Sequence, residues 1–316
     1  MSTVVITGAS GFLGRHLLDH YLGTGRDVVA LTRDRGRLDA LSHPRLEVRE
    51  VVYGGTLEIA PGSTVIYCAA MRNAPRASAA FFAQANTAEP ENVARKAMRA
   101  GVKRFIHLGT ALVLGSSAVP LDERAPMNAD GDPYVLSKCD GILALERLAR
   151  EGLPLVTILP SIIYGPDQPG ARSRVTSHMR RILSTPLRVA VAAPPRNLVF
   201  VDDVVRAIVQ AEERGETGSR SVVAGEDVTP EAFELEVFAA AGRRPSPRIV
   251  IPSALATASA RVLDAVLGYD VACGWSARVR TLLAPWCFRS VPTISELDQT
   301  PTALAEGVRR TVATFP

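Results

Sequence analysis

Short apolar runs and amphipathic stretches alternate along this chain. Residues 3–6 form a β-branched run, which predicts a short buried strand. Phe12, Leu13, Leu17 and Leu18, with Arg15, His16 and Asp19 between them, predict a helix directly after it. Apolar runs recur at 27–32, 46–52, 64–69 and 103–109. A helical pattern covers 90–100, where Gly101 follows as a C-cap. Another follows Asp132 and runs to about Arg150, with Ile142, Leu143, Leu145 and Leu148 as its apolar side. Alternation of this kind predicts an α/β fold, a doubly wound parallel sheet with helices on both faces. After Gly165 the pattern changes. Residues 171–190 read as loop and helix, 199–213 as a strand end and helix, 221–223 as a strand, and 230–241 and 253–268 as helices.

The link between the first strand and helix carries Gly8, Gly11 and Gly14. A strand feeding a glycine turn that opens a helix aims backbone N–H groups and the positive helix end at one point, which suits a phosphate. Gly8 permits the tight turn, Gly11 the approach of a pyrophosphate, and Gly14 the packing of helix on strand. The spacing is G-x-x-G-x-x-G, which differs from the commonest dinucleotide fingerprint. At the end of the second run Thr32 stands where an acidic residue would hold both ribose hydroxyls, and Arg33 follows. A guanidinium pairs with the 2′-phosphate of NADP, so NADP is expected ahead of NAD. The other reading of 33–37 is a solvated loop. Ala69 and Ala70 end the 64–69 run with small side chains, which suits either a cofactor lying on the backbone or close helix packing. These features divide the chain into a dinucleotide-binding Rossmann domain at 1–165, to which 196–224 returns, and a smaller substrate-binding lobe formed by 166–195 and 225–316.

Composition narrows the class. The 316 residues are 47% hydrophobic and 22% charged, with a net charge of +4, as in an ordinary globular protein. No basic run interleaved with aromatics points to nucleic acid, and no run reaches the ~18 apolar residues of a membrane span. Four separated cysteines and five histidines show no metal-ligand spacing. His107 reads as a core histidine. The chain is expected to be cytoplasmic, without a metal.

Lysine is rare: only Lys96, Lys103 and Lys138 occur. Lys138 lies four residues after Tyr134, so a helix sets both on one face. A nearby ammonium favours the phenolate and brings a tyrosine toward general acid–base work. Thr110 stands just past the 103–109 strand, where ligands of open sheets sit.

These residues resemble the short-chain dehydrogenase/reductase superfamily in its extended, epimerase-like branch. TGASGFLG at 7–14, Asn86, Thr110 ahead of ALVLG, YVLSK at 134–138, PSIIYGP at 160–166, VFVDDVVRAI at 199–208 and TALAEGVRRTV at 302–312 match in order over nearly the whole chain. The resemblance implies that Tyr134 is the general acid or base, that Lys138 lowers its pKa and holds the nicotinamide ribose, and that Thr110 polarises the substrate oxygen. It assigns Gly8, Ser10, Gly11, Phe12, Leu13, Gly14, Asn86, Pro160, Ile162 and Ile163 to the cofactor, and Tyr164 and Arg196 to substrate. A helix-entry or loop cap is the other reading of Asn86, and a strand-end hydroxyl bonded to local backbone that of Thr110.

The sequence departs from the nucleotide-sugar members at Ile162, where they often have asparagine, and at Leu159, where arginine is common. Arg196 matches the arginine those members place on a phosphate. No acidic residue follows the 46–52 run, where the family often sets one against adenine; Tyr53 is nearest. PSIIYGP and the apolar C-terminal segment are closer to 3β-hydroxysteroid dehydrogenase-like and dihydroflavonol-reductase-like members. The expected activity is an NADP(H)-dependent ketone–alcohol interconversion on a mainly apolar small molecule. The alternatives are a nucleotide-sugar epimerase, dehydratase or ketoreductase with retained NAD, and a non-catalytic dinucleotide sensor. Arg172, Arg174, Arg180, Arg181 and Arg188 are either guides for an anionic substrate or a solvated helix face. The tryptophans of 271–288 belong either to a lid or an apolar contact patch, or to plain lobe core. Helices at 90–100 and 137–150 suit a homodimer, as in related dimers, or else pack their apolar faces internally.

Overall fold

The computed structural model describes residues 2–52, 54–71, 78–129, 132–269, 274–290 and 300–316. Tyr53, considered above as the residue beside adenine, lies outside them, as does Cys273.

The glycine-linked strand, Val4–Thr7, sits inside a seven-stranded sheet. To one side lie Val28–Thr32 and Leu46–Glu50; to the other lie Thr64–Tyr67, Arg104–Leu108, Leu155–Pro160 and Arg220–Val223, in that order. Every pairing in this sheet is parallel. The central strands read as apolar runs because both faces are covered, whereas the edge strand Leu46–Glu50 alternates apolar and charged residues. Val4 and Ile6 enter the core shared with the helices Phe12–Gly23 and Val201–Arg214. Val5, one residue out of phase, enters the core under Glu89–Ala100 and Pro133–Arg150. The doubly wound parallel sheet expected from the alternation is the fold.

The segment 196–224 divides between two sheets. Arg220–Val223 closes the edge of the main sheet. Arg196–Phe200 instead belongs to a second sheet, between Glu226–Val228 and Trp286–Phe288 and also beside Ile162–Tyr164. Ser117–Leu121 extends this sheet through Trp286–Phe288. A two-stranded ribbon, Arg188–Val191 with Arg248–Ile251, lies farther out in the lobe. The helices Arg174–Ser184, Pro230–Ala240 and Leu304–Val312 close a core around Tyr164, Phe200 and Phe238.

Candidate active site

The C-terminal ends of the main-sheet strands open into a cavity of about 1740 Å³. Its far wall comes from the second sheet and from the helix Trp275–Leu283. Ligand pockets typically run ~300–1,000 Å³, so this space suits a dinucleotide and a substrate side by side.

The glycine turn forms one end. Gly8 has φ +68°, and a Cβ there would come 2.8 Å from Ala69 Cα. A Cβ on Gly14 would stand 2.3 Å from the Gly8 carbonyl oxygen. Gly11 opens the helix with no side-chain cap, and the first turn holds no acidic residue. The uncapped N–H groups and helix dipole therefore face the cavity as a phosphate cradle. Ser10, Phe12, Leu13, Ala69 and Ala70 line the same end. Ala69 faces the cavity, and its backbone lies against Gly8 of the turn rather than against a helix.

Beyond the turn, Thr32 is buried and its Oγ1 lies 3.1 Å from Ser10 Oγ. Arg33 and Arg37 line this end, as does Asp34, which the sequence reading did not weigh. Asp34 N–H donates to Thr32 Oγ1 at 3.2 Å, so the strand end curls there, and Asp34 lines the same end of the cavity as Arg33.

The tyrosine and lysine stand in the middle of the cavity. Asp132 caps their helix, accepting from Tyr134 N–H at 2.8 Å and Val135 N–H at 3.3 Å. Tyr134 is half-buried, with its ring edge-on to Phe82 at 6.1 Å. Lys138 is buried and Nζ donates to the Leu108 carbonyl at 3.3 Å. Burial pushes its pKa down to about 8, with the nearby Cys68 opposing that shift. Thr110 Oγ1 accepts from Leu112 N–H at 3.4 Å. This is the local backbone bond of the bland reading, yet it uses only an acceptor lone pair. The hydroxyl proton remains able to donate into the cavity. Tyr134, Lys138 and Thr110 all line the cavity, with Pro160, Ile162 and Ile163.

Two expected site residues lie elsewhere. Asn86 is buried behind the wall and does not line the cavity. It accepts from Met71 N–H at 3.0 Å and donates to Met71 O and Ser137 Oγ, both at 3.1 Å. Its amide braces the loop at Met71 and the tyrosine helix, and it lies inside the wide turn Gln84–Ala88 rather than at a helix entry. Tyr164 is a core residue and not a substrate contact. Its hydroxyl donates to the Leu304 carbonyl at 3.4 Å, and its ring meets Phe200 edge-on at 5.5 Å. Strand pairing turns Tyr164 toward the C-terminal helix, where Gly307 leaves room for it. Burial raises its pKa further above the ordinary tyrosine value. His107 is the expected core histidine, buried beside Tyr67 at 5.9 Å with its pKa driven down by burial.

Gly141 is a supporting residue the sequence reading missed. A Cβ there would come 2.2 Å from the Asn86 carbonyl oxygen. The tyrosine helix therefore seats directly on the single wide turn Gln84–Ala88, helped by Thr87 Oγ1 donating to Ser137 O at 2.8 Å. A lone glycine inside a helical pattern was the available signal.

The far wall is basic at its rim and apolar between. Arg196, Arg278, Arg280, Leu282 and Trp286 line it; Arg172 and Arg174 line the cavity too, as do Leu112 and Val135 beside the tyrosine. Arg196 Nη2 donates to the Thr281 carbonyl at 2.7 Å, and Trp286 Nε1 to the same oxygen at 2.9 Å. Burial lowers the Arg196 pKa. Arg180 and Arg188 serve as structure, paired with Asp167 and Glu234. The two tryptophans separate: Trp286 is buried on the cavity wall, whereas Trp275 is exposed. Among the described residues no cluster of three or more His, Cys, Asp or Glu could hold a metal.

A parallel sheet with an uncapped glycine turn, and a tyrosine–lysine pair in the adjoining cleft, define a nicotinamide-dinucleotide oxidoreductase acting on CH–OH/C=O groups. Residues 4–225 match the model of the NAD dependent epimerase/dehydratase family, and the chain belongs to that family. It is 29% identical over 288 residues to a dTDP-4-dehydro-6-deoxy-D-allose reductase of a Streptomyces species, covering 83% of this chain and 88% of that protein. It is 30% identical over 265 residues to a Streptomyces 3-diazoavenalumate denitrifying reductase, covering 80% of this chain and 85% of the relative. The dTDP-glucose 4,6-dehydratase of Bacillus anthracis, solved in complex with NAD, shares the fold with a TM-score of 0.76 at 14% identity, over 99% of this chain and 96% of that one.

Proposed function

We propose that this chain is an NADP(H)-dependent reductase that interconverts a ketone and a secondary alcohol on a mainly apolar small molecule. The observation that carries the reading is the convergence of Tyr134, Lys138 and Thr110 on one cavity whose neighbouring wall is Leu112, Val135, Ile162 and Trp286. The dinucleotide fits the glycine cradle, with its phosphates at the uncapped helix and Arg33 at the ribose end. When bound, the nicotinamide supplies or accepts the hydride. In the reducing direction the Thr110 and Tyr134 hydroxyls donate to the carbonyl oxygen as it becomes negative. Tyr134 then passes its proton to that oxygen. The Lys138 ammonium, still largely protonated at neutral pH with a pKa of about 8, stabilises the phenolate left behind.

A second reading has its own support. Arg196, Arg278 and Arg280 on the far wall, with Arg172 and Arg174 also lining the cavity, suit the diphosphate of a nucleotide-linked sugar, the substrate type of the dTDP-sugar reductase relative. A dinucleotide sensor without turnover has less support, since it needs no tyrosine–lysine pair. The test is to denature the purified protein, identify any released nicotinamide, and titrate stripped protein with NADPH and NADH before a carbonyl screen. Exchangeable binding that favours NADPH is the expected result. Tightly retained NAD overturns the ketoreductase reading in favour of internal hydride recycling on a nucleotide sugar.

A further inference from the structure

The helix Ser253–Leu267 faces the wrong way for a helix that packs on a core. At ~100° per residue, Leu255, Val262 and Val266 share one face. Leu263 widens that face on one side, Ala258 and Ala265 on the other. Asp264 and Ala260 fall on the opposite side, and they are the helix's buried residues. The apolar face points to solvent, with Leu255 57%, Val262 64% and Val266 75% exposed. Helices of globular proteins turn their apolar stripe inward.

A polar contact holds the helix in this orientation. The Asp264 carboxylate accepts from the backbone N–H groups of Trp275 at 2.6 Å and Ser276 at 2.8 Å. It thereby caps the helix Trp275–Leu283 and fixes the two helices as a unit. Trp275 is itself exposed, with the Arg278 guanidinium 4.9 Å from its ring centroid. The two helices carry three arginines, Arg261, Arg278 and Arg280, and a single acid, the buried Asp264. Arg261 borders the apolar face and is exposed, as is Arg280.

We propose that this helix pair is an interfacial docking face for an anionic lipid surface. Leu255, Val262, Val266 and Trp275 enter the boundary between headgroups and acyl chains, and Arg261 meets the lipid phosphates. The helix lies in the plane of the surface, since its 15 residues rise only ~22 Å, short of a ~30 Å hydrocarbon core. No described helix is long and apolar enough to cross a membrane. Charge selects lipid over a second copy of the chain. A two-fold contact through this face would set its arginines against one another, with no exposed acid on either helix to meet them. The helix Trp275–Leu283 also supplies Arg278, Arg280, Thr281 and Leu282 to the cavity wall, so the docked face and the substrate side share an element. The docking face does not depend on the ketoreductase reading.

The test is co-sedimentation of the full chain with vesicles of phosphatidylcholine, alone or mixed with phosphatidylglycerol, beside sedimentation velocity without lipid. Binding to the mixed vesicles is expected to exceed binding to the neutral ones by ~10-fold or more and to weaken with salt. The Val262→Asp/Val266→Asp double variant should lose it while keeping the parent Tm and dinucleotide binding. Arg261→Gln should weaken it severalfold. Failure to bind either vesicle, or equal binding by parent and double variant, overturns the proposal. So does a concentration-dependent dimer that the double variant dissociates, because the face then joins two copies.

Discussion

The two walls of the cavity are built on different principles. The dinucleotide side is made of strand ends and one glycine turn, where backbone geometry does the work: a Cβ on Gly8 or Gly14 would overlap backbone at 2.8 and 2.3 Å. The lobe side is made of long side chains, Arg196, Arg278 and Arg280 with Trp286, and Arg172 and Arg174 also line the cavity. Steric demands leave one solution at the first wall and many at the second. A change at the cofactor wall should therefore disturb dinucleotide binding or chemistry for any substrate. A change at the lobe wall should act on one substrate's KM.

The largest test of that division is Tyr134→Phe. Loss of the proton donor should lower turnover by ~10²–10⁴-fold. Dinucleotide affinity should stay near the parent value, because Lys138 keeps its bond to the Leu108 carbonyl. Stopped-flow reduction together with fluorescence titration checks both. Unchanged turnover would remove Tyr134 from the mechanism and leave the cofactor wall with no chemical role.

Lys138 gives the next effect, and it depends on pH. Burial disfavours the ammonium and brings its pKa from 10.5 to about 8. Above pH ~8 the charge that supports the Tyr134 phenolate is lost, so kcat/KM should fall about tenfold per pH unit. Lys138→Arg, which stays charged, should be slower but lack that alkaline limb. Stability moves oppositely. Between pH 8 and 10.5 the unfolded chain holds this proton and the folded chain does not, so folding is favoured progressively as pH rises. The Tm of the dinucleotide-free parent should therefore gain on that of Lys138→Met across this window.

How much of each wall could be read from the sequence follows the same division. The glycine turn was legible because the steric demand is written in the residue type. Tyr134 and Lys138 were legible because a helix fixes their relation and lysine is scarce. On the lobe wall Arg196 was legible through the family resemblance, but its neighbour Trp286 was not, because the two meet by pairing of strands distant in the chain and by sharing the Thr281 carbonyl. Tyr164 shows the limit within a single motif. Pro160, Ile162 and Ile163 line the cavity, yet Tyr164, from the same short stretch, is turned into the lobe core by pairing with Phe200. Asn86 shows another: its type suited a ligand contact, and only long-range packing against Ser137 reveals that its amide is already bonded.

Arg196→Met probes the lobe wall. It keeps the apolar stem and removes the charge, and Trp286 still donates to the Thr281 carbonyl. A substrate with a phosphate or carboxylate at that wall should lose a charge-assisted hydrogen bond, raising KM by ~10-fold. A substrate without an anionic group should keep its KM within about twofold. Dinucleotide affinity should not change in either case. Steady-state kinetics on one substrate of each kind separates the mainly apolar reading from the nucleotide-sugar reading.

The smallest effect is expected at the ribose end, where the two principles overlap, because a side chain there selects between two forms of one cofactor. Arg33 offers a cation to a 2′-phosphate, and Asp34, on the same stretch of cavity wall, offers a carboxylate to a free ribose hydroxyl and repels a phosphate. The balance between the two sets the preference, so changing either should move it in a known direction. Arg33→Ser should lower the ratio of NADPH to NADH affinity by ~5-fold, the loss of one partly solvated charge contact. Asp34→Asn should raise that ratio by a smaller factor, since only repulsion is removed. Titration of both cofactors at two salt concentrations checks the electrostatic origin, because screening should shrink the Arg33 effect. If Arg33→Ser leaves the ratio unchanged, Arg33 is a loop residue after all, and the cofactor wall selects its dinucleotide by backbone shape alone.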